Sequence, residues 1–176
     1  VYKRQDQFVF FGLHYQPEAS TLVWAPYYVD QPSLLERVAK SLPVGYWLYV
    51  KEHPFAVGRR PLSEYRRLQK IPQVKIISPY ADSHALIPKS ACVVTINGTV
   101  GWEAMLYERP VITFGRGFGA ASGLVQMVRE IDELPRLLNE AVYSWQPDRE
   151  LLLKVIAAAI EGSHQGDIGY RDGVPE

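Results

Sequence analysis

The stretch from residue 93 to residue 115 constrains the fold more than any other part of the sequence, and it reads VVTINGTVGWEAMLYERPVITFG. The β-branched run at 93–96 predicts a buried strand, and the Asn-Gly-Thr turn at 97–99 contains a glycine that accepts a positive φ. Apolar residues at helical spacing continue to Pro110, and the run at 111–114 predicts a second strand. These elements form one βαβ unit, whose two strands we expect to be parallel.

The turn in this unit lies between the carboxyl end of a strand and the start of a helix. We expect the amide N–H groups of Gly98, Thr99 and Val100 to be free and to point outward from the sheet. Open α/β sheets bind ligands at this edge, and a helix N-terminus favours an anion. The turn therefore predicts a phosphate-type site, although a capped βα turn without a ligand has the same sequence pattern.

The rest of the chain repeats this alternation of strand and helix. Apolar runs predict three more strands, at 8–15, 46–51 and 74–77. Helices are predicted at 31–42, 62–70, 82–90, 132–143 and 148–161. Five parallel strands alternating with helices indicate an α/β, doubly wound parallel sheet. We expect one domain at 8–161, with a lead-in or linker at 1–7 and a tail at 162–176; the start at Val1 rather than methionine suggests a piece of a longer protein.

Composition excludes several classes of function. The 19 basic and 19 acidic residues cancel, so the chain has no general attraction to nucleic acid or to an anionic membrane. The single cysteine, Cys92, excludes an internal disulfide and a cysteine-rich zinc site, and it suits a reducing, cytoplasmic compartment. No apolar run reaches the roughly 18 residues of a membrane span. We expect no metal ion and no cofactor.

A second motif, Lys51-Glu52-His53-Pro54, ends the strand at 46–51. Residues two apart in an extended chain face the same way, so Lys51 and His53 project together and Glu52 points to the opposite side. Pro54 keeps His53 extended and prevents a helix there. An ammonium and an imidazole would then both donate to a phosphate, with His53 favouring its protonated form. A solvated loop that happens to contain a histidine is the alternative.

Four motifs in this order resemble the capsule polysaccharide biosynthesis family. They read FFGLHYQPEAST at 10–21, YVDQ at 28–31, YVKEHP at 49–54 and INGTVGWEA at 96–104. That family includes Kdo transferases of bacterial capsule export and is related to GT-B glycosyltransferases. The resemblance covers residues 8–115. It implies a Rossmann-like fold, the nucleotide-sugar-binding half of a GT-B enzyme, which elsewhere has a separate acceptor-binding half.

The resemblance also implies roles for individual residues. GT-B enzymes with CMP-linked donors hold the donor phosphate with a His-Pro motif and a Ser/Thr turn. Here His53 with Pro54 matches the first, and Thr99 with Gly98 matches the second. Glu103, one helical turn beyond Thr99, is expected to face the ribose hydroxyls. We expect Lys51 and Asn97 to bind the same substrate, since they belong to the same two motifs.

Three further residues are candidates for the substrate site. Glu18 lies in a long aromatic loop at 16–30, at the mouth of the expected cleft, and is the candidate catalytic base on the acceptor side. Gln16 is similarly placed. Arg116 follows the fifth strand, from where it would reach a second phosphate or a sugar carboxylate.

Other polar residues are expected to be structural. His14 lies in an apolar run, so we expect a hydrogen-bonded core residue rather than a ligand. Arg59 and Arg60 are expected to be solvent-exposed charges.

The sequence thus predicts the donor-binding domain of a glycosyltransferase in bacterial capsule or surface polysaccharide synthesis. Its partners would be a CMP-linked nucleotide sugar and, through a separate domain, a glycan or glycolipid acceptor. Peripheral membrane association at the inner face and a homo-oligomer are compatible with this prediction. The alternatives are a CDP-alditol phosphotransferase-like enzyme, which also has a Lys-x-His-Pro sequence, and a non-catalytic binding or assembly module of the same fold.

Overall fold

A computed structural model describes residues 6–117, 119–164, 170–171 and 174–175. Its main sheet has six strands in the order β3-β2-β1-β4-β5-β6. All five neighbouring pairs are parallel. The strands are β1 (Gln7–Gly12), β2 (Tyr46–Lys51), β3 (Val74–Ile77), β4 (Cys92–Thr95), β5 (Val111–Thr113) and β6 (Val125–Met127). The predicted doubly wound parallel sheet is confirmed.

Helices connect the strands and cover both faces of the sheet. They are α1 (Ala19–Leu22), α2 (Gln31–Lys40), α3 (Leu62–Gln69), α4 (Ser83–Leu86), α5 (Thr99–Leu106), α6 (Leu134–Tyr143) and α7 (Arg149–Glu161). Aspartates cap three of them: the carboxylates of Asp30, Asp82 and Asp148 accept hydrogen bonds from the first-turn amides of α2, α4 and α7. Each capping residue precedes an apolar helical repeat, which is why the sequence indicated these helices.

The central strand β1 is buried on both faces because its side chains alternate between two apolar layers. Val9 and Phe11 pack with α2, α3 and α6, whereas Phe8 and Phe10 pack with α4 and α5. All four side chains are at most 2% exposed. Both faces of β1 are therefore covered, so we expect a site at the carboxyl ends of the strands, where open α/β sheets bind ligands.

β1 ends at Gly12, three residues earlier than predicted. Beyond it, the backbone of His14 bonds to the side chain of Gln31 instead of to a neighbouring strand. The Gln31 side-chain amide donates to the carbonyl of His14 at 3.0 Å, and its Oε1 accepts from the His14 amide at 2.9 Å. Gln31 is fully buried at the start of α2. The loop between these two residues is therefore closed at its base by one side chain.

Three other details differ from the sequence-based prediction. β6 was not predicted, since it is three residues long and follows a glycine-rich segment. The helix predicted at 82–90 divides into α4 and a 3₁₀ turn at Ile87–Lys89, because Pro88 has no N–H to donate. β1 begins at Gln7, inside the predicted lead-in.

The predicted tail contains one short antiparallel ladder, between β7 (Tyr170–Arg171) and β8 (Val174–Pro175). Residues 1–5, 165–169, 172–173 and 176 of the predicted lead-in and tail lie outside the described residues. The division into lead-in, domain and tail therefore stays a prediction. Among the described helices, none is both long enough and apolar enough to cross a membrane.

Candidate functional site

The carboxyl ends of β1 to β4 surround a cleft of about 710 Å³. The loops that follow the four strands form its walls, as expected for a parallel sheet whose order reverses between β1 and β4. Seven of the predicted site residues line this cleft: Glu18, Lys51, His53, Asn97, Gly98, Thr99 and Glu103. The structure therefore brings together the two motifs that the sequence placed at one edge of the sheet.

The turn before α5 packs against the imidazole of His14. The amide of Gly98 donates to the hydroxyl of Thr95 at 3.1 Å, and that hydroxyl lies 3.3 Å from His14 Nε2. The prediction that the Gly98 amide is free is therefore wrong. Gly98 has φ −75°, so the positive φ that glycine accepts is not used here. Glycine is needed there because a Cβ would lie 3.1 Å from both His14 Cε1 and Thr95 Oγ1.

The next two amides of α5 remain candidates for an anion. No side chain among the described residues caps this helix, and the first amides of an α-helix have no acceptor within the helix. Thr99 and Val100 both line the cleft. The helix start therefore offers two backbone donors, one fewer than the sequence predicted.

Asn97 joins this turn to the loop at 16–30. Its Nδ2 donates to the carbonyl of Ser20 at 2.6 Å. Its Oδ1 is buried and has no hydrogen-bond partner among the described residues. Asn97 thus holds the loop against the turn, and its role in binding substrate stays a prediction.

His14 is neutral in the folded protein. Burial lowers its pKa from 6.5 to about 4, although the nearby Glu18 carboxylate acts in the opposite direction. His14 is 7% exposed, and its Nε2 lies within hydrogen-bond distance of Thr95 Oγ1. The predicted hydrogen-bonded core histidine is confirmed, and the same residue also forms part of the cleft wall.

Lys51 brings a buried positive charge to the cleft. The residue is only 8% exposed, and no described carboxylate lies within ion-pair distance of its Nζ. Burial lowers the pKa of Lys51, and the more distant carboxylates of Glu103 and Asp82 oppose that shift. A buried ammonium without an ion pair is stabilised by an incoming anion.

His53 is held as a hydrogen-bond donor through one ring nitrogen. It adopts the extended conformation that Pro54 was predicted to impose, with φ −69° and ψ 130°. Its Nδ1 accepts a hydrogen bond from the amide of Phe55 at 3.2 Å, so the neutral ring carries its hydrogen on Nε2. This geometry leaves Nε2 as the ring nitrogen available to a ligand in the cleft.

The carboxylate of Glu52 turns to the opposite side of the chain, as predicted, where it meets Arg60. The Arg60 Nε donates to Glu52 Oε2 at 2.5 Å, and the two side chains are 4% and 3% exposed. The prediction that Arg60 is a solvent-exposed charge is therefore wrong. This pair could not be predicted from the sequence, because the two residues are eight positions apart across an irregular loop.

The remaining predicted residues differ in their placement. Glu18 is exposed at the cleft and accepts from the Ser20 hydroxyl at 2.7 Å. The Gln16 side chain donates within its own loop, to the carbonyl of Val29 at 3.0 Å, and it is absent from the cleft wall. Arg116 is exposed and is also absent from that wall.

The loop after β3 was missed. Residues 79–82 line the cleft, with Tyr80 79% exposed and Asp82 capping α4. The signal was present, since a predicted third parallel strand must end at the same edge as its neighbours. Within the described part of the chain, no group of three or more His, Cys, Asp or Glu residues could hold a metal ion.

A family comparison and a comparison with curated proteins agree with the predicted resemblance. Residues 28–144 match the family described as capsule polysaccharide biosynthesis protein. Protein FixF of Sinorhizobium fredii is 36% identical over 106 residues, which is 58% of this chain and 24% of FixF. The chain thus spans about a quarter of the length of this relative.

Solved structures show the same fold. The β-Kdo 2,4 transferase of KpsC from Thermosulfurimonas dismutans is 20% identical with a TM-score of 0.57, over 80% of this chain and 45% of that one. The UDP-GlcNAc 2-epimerase of Methanocaldococcus jannaschii, in complex with UDP-GlcNAc and UDP, is 16% identical with a TM-score of 0.58. The match covers 89% of this chain and 46% of that one. The predicted Rossmann-like half of a GT-B fold is therefore confirmed. With two thirds of its length matched by the family, this chain belongs to the capsule polysaccharide biosynthesis proteins.

Proposed function

We propose that this chain is the nucleotide-sugar-binding half of a glycosyltransferase that builds capsule or another surface polysaccharide in bacteria. One observation carries the proposal: Lys51, the His53 ring and the first amides of α5 line a single cleft. Its volume of about 710 Å³ lies within the roughly 300–1,000 Å³ usual for small-molecule sites. Family membership supports the same assignment, as does the UDP-GlcNAc bound by a protein of the same fold.

These groups suit the departure of a nucleotide from an anomeric carbon. In that displacement the bond from the sugar to the phosphate oxygen breaks, and negative charge increases on the phosphate. The Lys51 ammonium, the His53 Nε2–H and the Thr99 amide would stabilise this charge, each from a fixed position. Because these groups are held before the reaction, they need little reorganisation during it.

The proposal extends to the donor and the acceptor. We assign a CMP-linked sugar as donor, on the match of His53-Pro54 and Gly98-Thr99 to the family pattern, with Glu103 on the ribose. The exposed Glu18 is the candidate base for an acceptor hydroxyl. A separate domain would bind the glycan or glycolipid acceptor, in the cytoplasm or at the inner face of the membrane.

A nucleotide titration tests the proposal. We would follow backbone amide shifts of ¹⁵N-labelled protein while adding CMP, UMP or inorganic phosphate. CMP is expected to shift the amides of Lys51, His53, Thr99 and Val100, and to bind more tightly than UMP. Shifts confined to residues outside the cleft would contradict the site. Equal affinity for CMP and UMP would contradict the donor assignment alone.

A further inference from the structure

A buried ion pair lies beneath the wall of the cleft, and the function proposed above makes no use of it. The carboxylate of Glu52 accepts from Arg60 Nε at 2.5 Å and from the Tyr65 hydroxyl at 2.8 Å. The side chains of Glu52 and Arg60 are 3% and 4% exposed. Two charges removed from water in this way need several well-placed hydrogen bonds, which this site supplies.

The same pair is bonded to the backbone of two cleft segments. The other carboxylate oxygen of Glu52 accepts from the amide of His53 at 2.7 Å. Arg60 Nη2 donates to the carbonyl of His14 at 2.9 Å, and Nη1 donates to Glu64 in α3 at 2.7 Å. The guanidinium therefore joins the segment after β1, the segment after β2 and helix α3 through one planar group.

The ionisation of these groups keeps the network intact over a wide pH range. Burial acts to lower the pKa of Arg60, but its contacts with Glu52 and Glu64 raise it above its usual value. Burial and the bond to Glu52 raise the pKa of Tyr65 to about 12. Arg60 and the Tyr65 hydroxyl therefore both remain donors at the pH of any ordinary assay.

His53 is consequently fixed at two points. Glu52 accepts from its backbone amide, and the Phe55 amide donates to its ring Nδ1. We propose that Glu52 and Arg60 are positioning residues, which hold His53 so that its Nε2–H faces the cleft. The ligand this hydrogen meets is the donor phosphate, a point that rests on the function proposed above. The positioning itself is a property of the free protein.

Loss of Arg60 should release His53. The Glu52 carboxylate would keep only the Tyr65 hydroxyl and the His53 amide as donors, and a buried carboxylate short of donors moves toward water. A shift of Glu52 displaces the His53 amide and weakens the Phe55 bond to the ring. A pair that only stabilises the fold would leave the ring geometry unchanged in any variant that remains folded.

The test compares Arg60→Ala, Arg60→Lys and a matched control, Arg67→Ala. Arg67 pairs with Asp30 at 3.1 Å, but both side chains are about half exposed. The first measurement is the ¹⁵N shifts of the His53 ring without ligand at neutral pH, which distinguish the two tautomers. The second is CMP affinity. Wild type and Arg67→Ala are expected to show the Nε2–H tautomer and equal affinity.

Arg60→Ala is expected to show mixed tautomers and about tenfold weaker CMP binding. Arg60→Lys keeps the charge, yet one ammonium cannot reproduce the bonds to Glu52, Glu64 and the His14 carbonyl, so mixed tautomers are expected there too. If Arg60→Ala does not fold, the His53 ring spectrum of Arg60→Lys decides whether the proposal holds. A wild-type His53 spectrum in the folded variants would overturn the proposal. If wild type does not bind CMP, the proposed function fails, while the ring spectra still decide this inference.

Discussion

Gly98 lies directly against the imidazole of His14, so closely that a Cβ atom at Gly98 would be 3.1 Å from His14 Cε1. His14 has little room to move, because it is 7% exposed and its carbonyl accepts from both Gln31 and Arg60. The start of α5 is thereby fixed relative to the segment after β1. The first amides of α5, which are the proposed phosphate donors, are positioned by this contact.

A methyl group at Gly98 should therefore displace the turn. We expect Gly98→Ala to lower the free energy of unfolding by about 1–3 kcal/mol, the usual cost of overpacking, and to weaken CMP binding. Urea denaturation and a CMP titration would measure both. Gly12→Ala is the matched control, because its Cβ would meet only Val100 Cγ1 at 3.8 Å, an ordinary contact. Equal stability of the two variants would contradict the packing argument.

Lys51 and His53 should dominate recognition of the nucleotide. Hydrogen bonds to charged groups contribute about 1.5–3 kcal/mol, so we expect Lys51→Ala and His53→Ala each to weaken CMP binding about tenfold or more. Circular dichroism should show an unchanged fold. Lys40→Ala serves as control, since Lys40 is 71% exposed and paired with Glu36 on α2. Unchanged affinity in both cleft variants would refute the phosphate site.

The neutral His14 should make stability depend on pH. Its pKa is about 4 in the folded protein and 6.5 when unfolded, so the unfolded chain binds the proton more readily between these values. The contribution of neutral His14 is complete above pH 6.5 and decreases as the pH falls toward 4. This lowers the free energy of unfolding by at most about 3 kcal/mol. Urea midpoints at pH 7 and pH 4.5 should differ more for wild type than for His14→Gln; an equal difference would argue against the buried neutral ring.

The isolated chain should bind nucleotide without transferring sugar. Transfer needs donor and acceptor in near-attack geometry, and much of the rate comes from that positioning. A donor-turnover assay with capsule-type glycolipid acceptors would measure it, with His53→Ala to exclude a contaminating enzyme. Transfer by wild type that disappears in His53→Ala would contradict the prediction. The loop at 16–30 would then supply the base, and Glu18 would be tested first.

The sequence predicted those parts of the fold that depend on local pattern. Alternating or continuous apolar runs located five of the six strands of the main sheet, and the carboxyl edge followed from their parallel order. Two short motifs then identified Lys51, His53 and Thr99 as neighbours. These inferences need only periodicity, turn chemistry and the rule that parallel strands end at one edge.

Contacts between distant side chains could not be predicted in this way. Arg60 is a charged residue in a polar loop segment, which is the pattern of an exposed residue. It is buried because it donates hydrogen bonds to Glu52 and to the His14 carbonyl, both of which are distant in sequence. The need for glycine at position 98 likewise comes from His14, 84 positions away along the chain, and not from the backbone conformation. Such features require the tertiary arrangement.

The closure of the loop at 16–30 by Gln31 has a consequence for variation among related chains. Because one buried side chain bonds both backbone groups of His14, the loop leaves β1 and enters α2 at fixed points. Insertions or deletions at the exposed positions of the loop leave those points in place, and the cost in closure entropy grows slowly with loop length. The buried Thr21 and Ala25, and the bond from Asn97 to the Ser20 carbonyl, restrict such variation to the exposed positions. The loop is thus an insert of adjustable length whose anchored residues keep their place in the cleft wall.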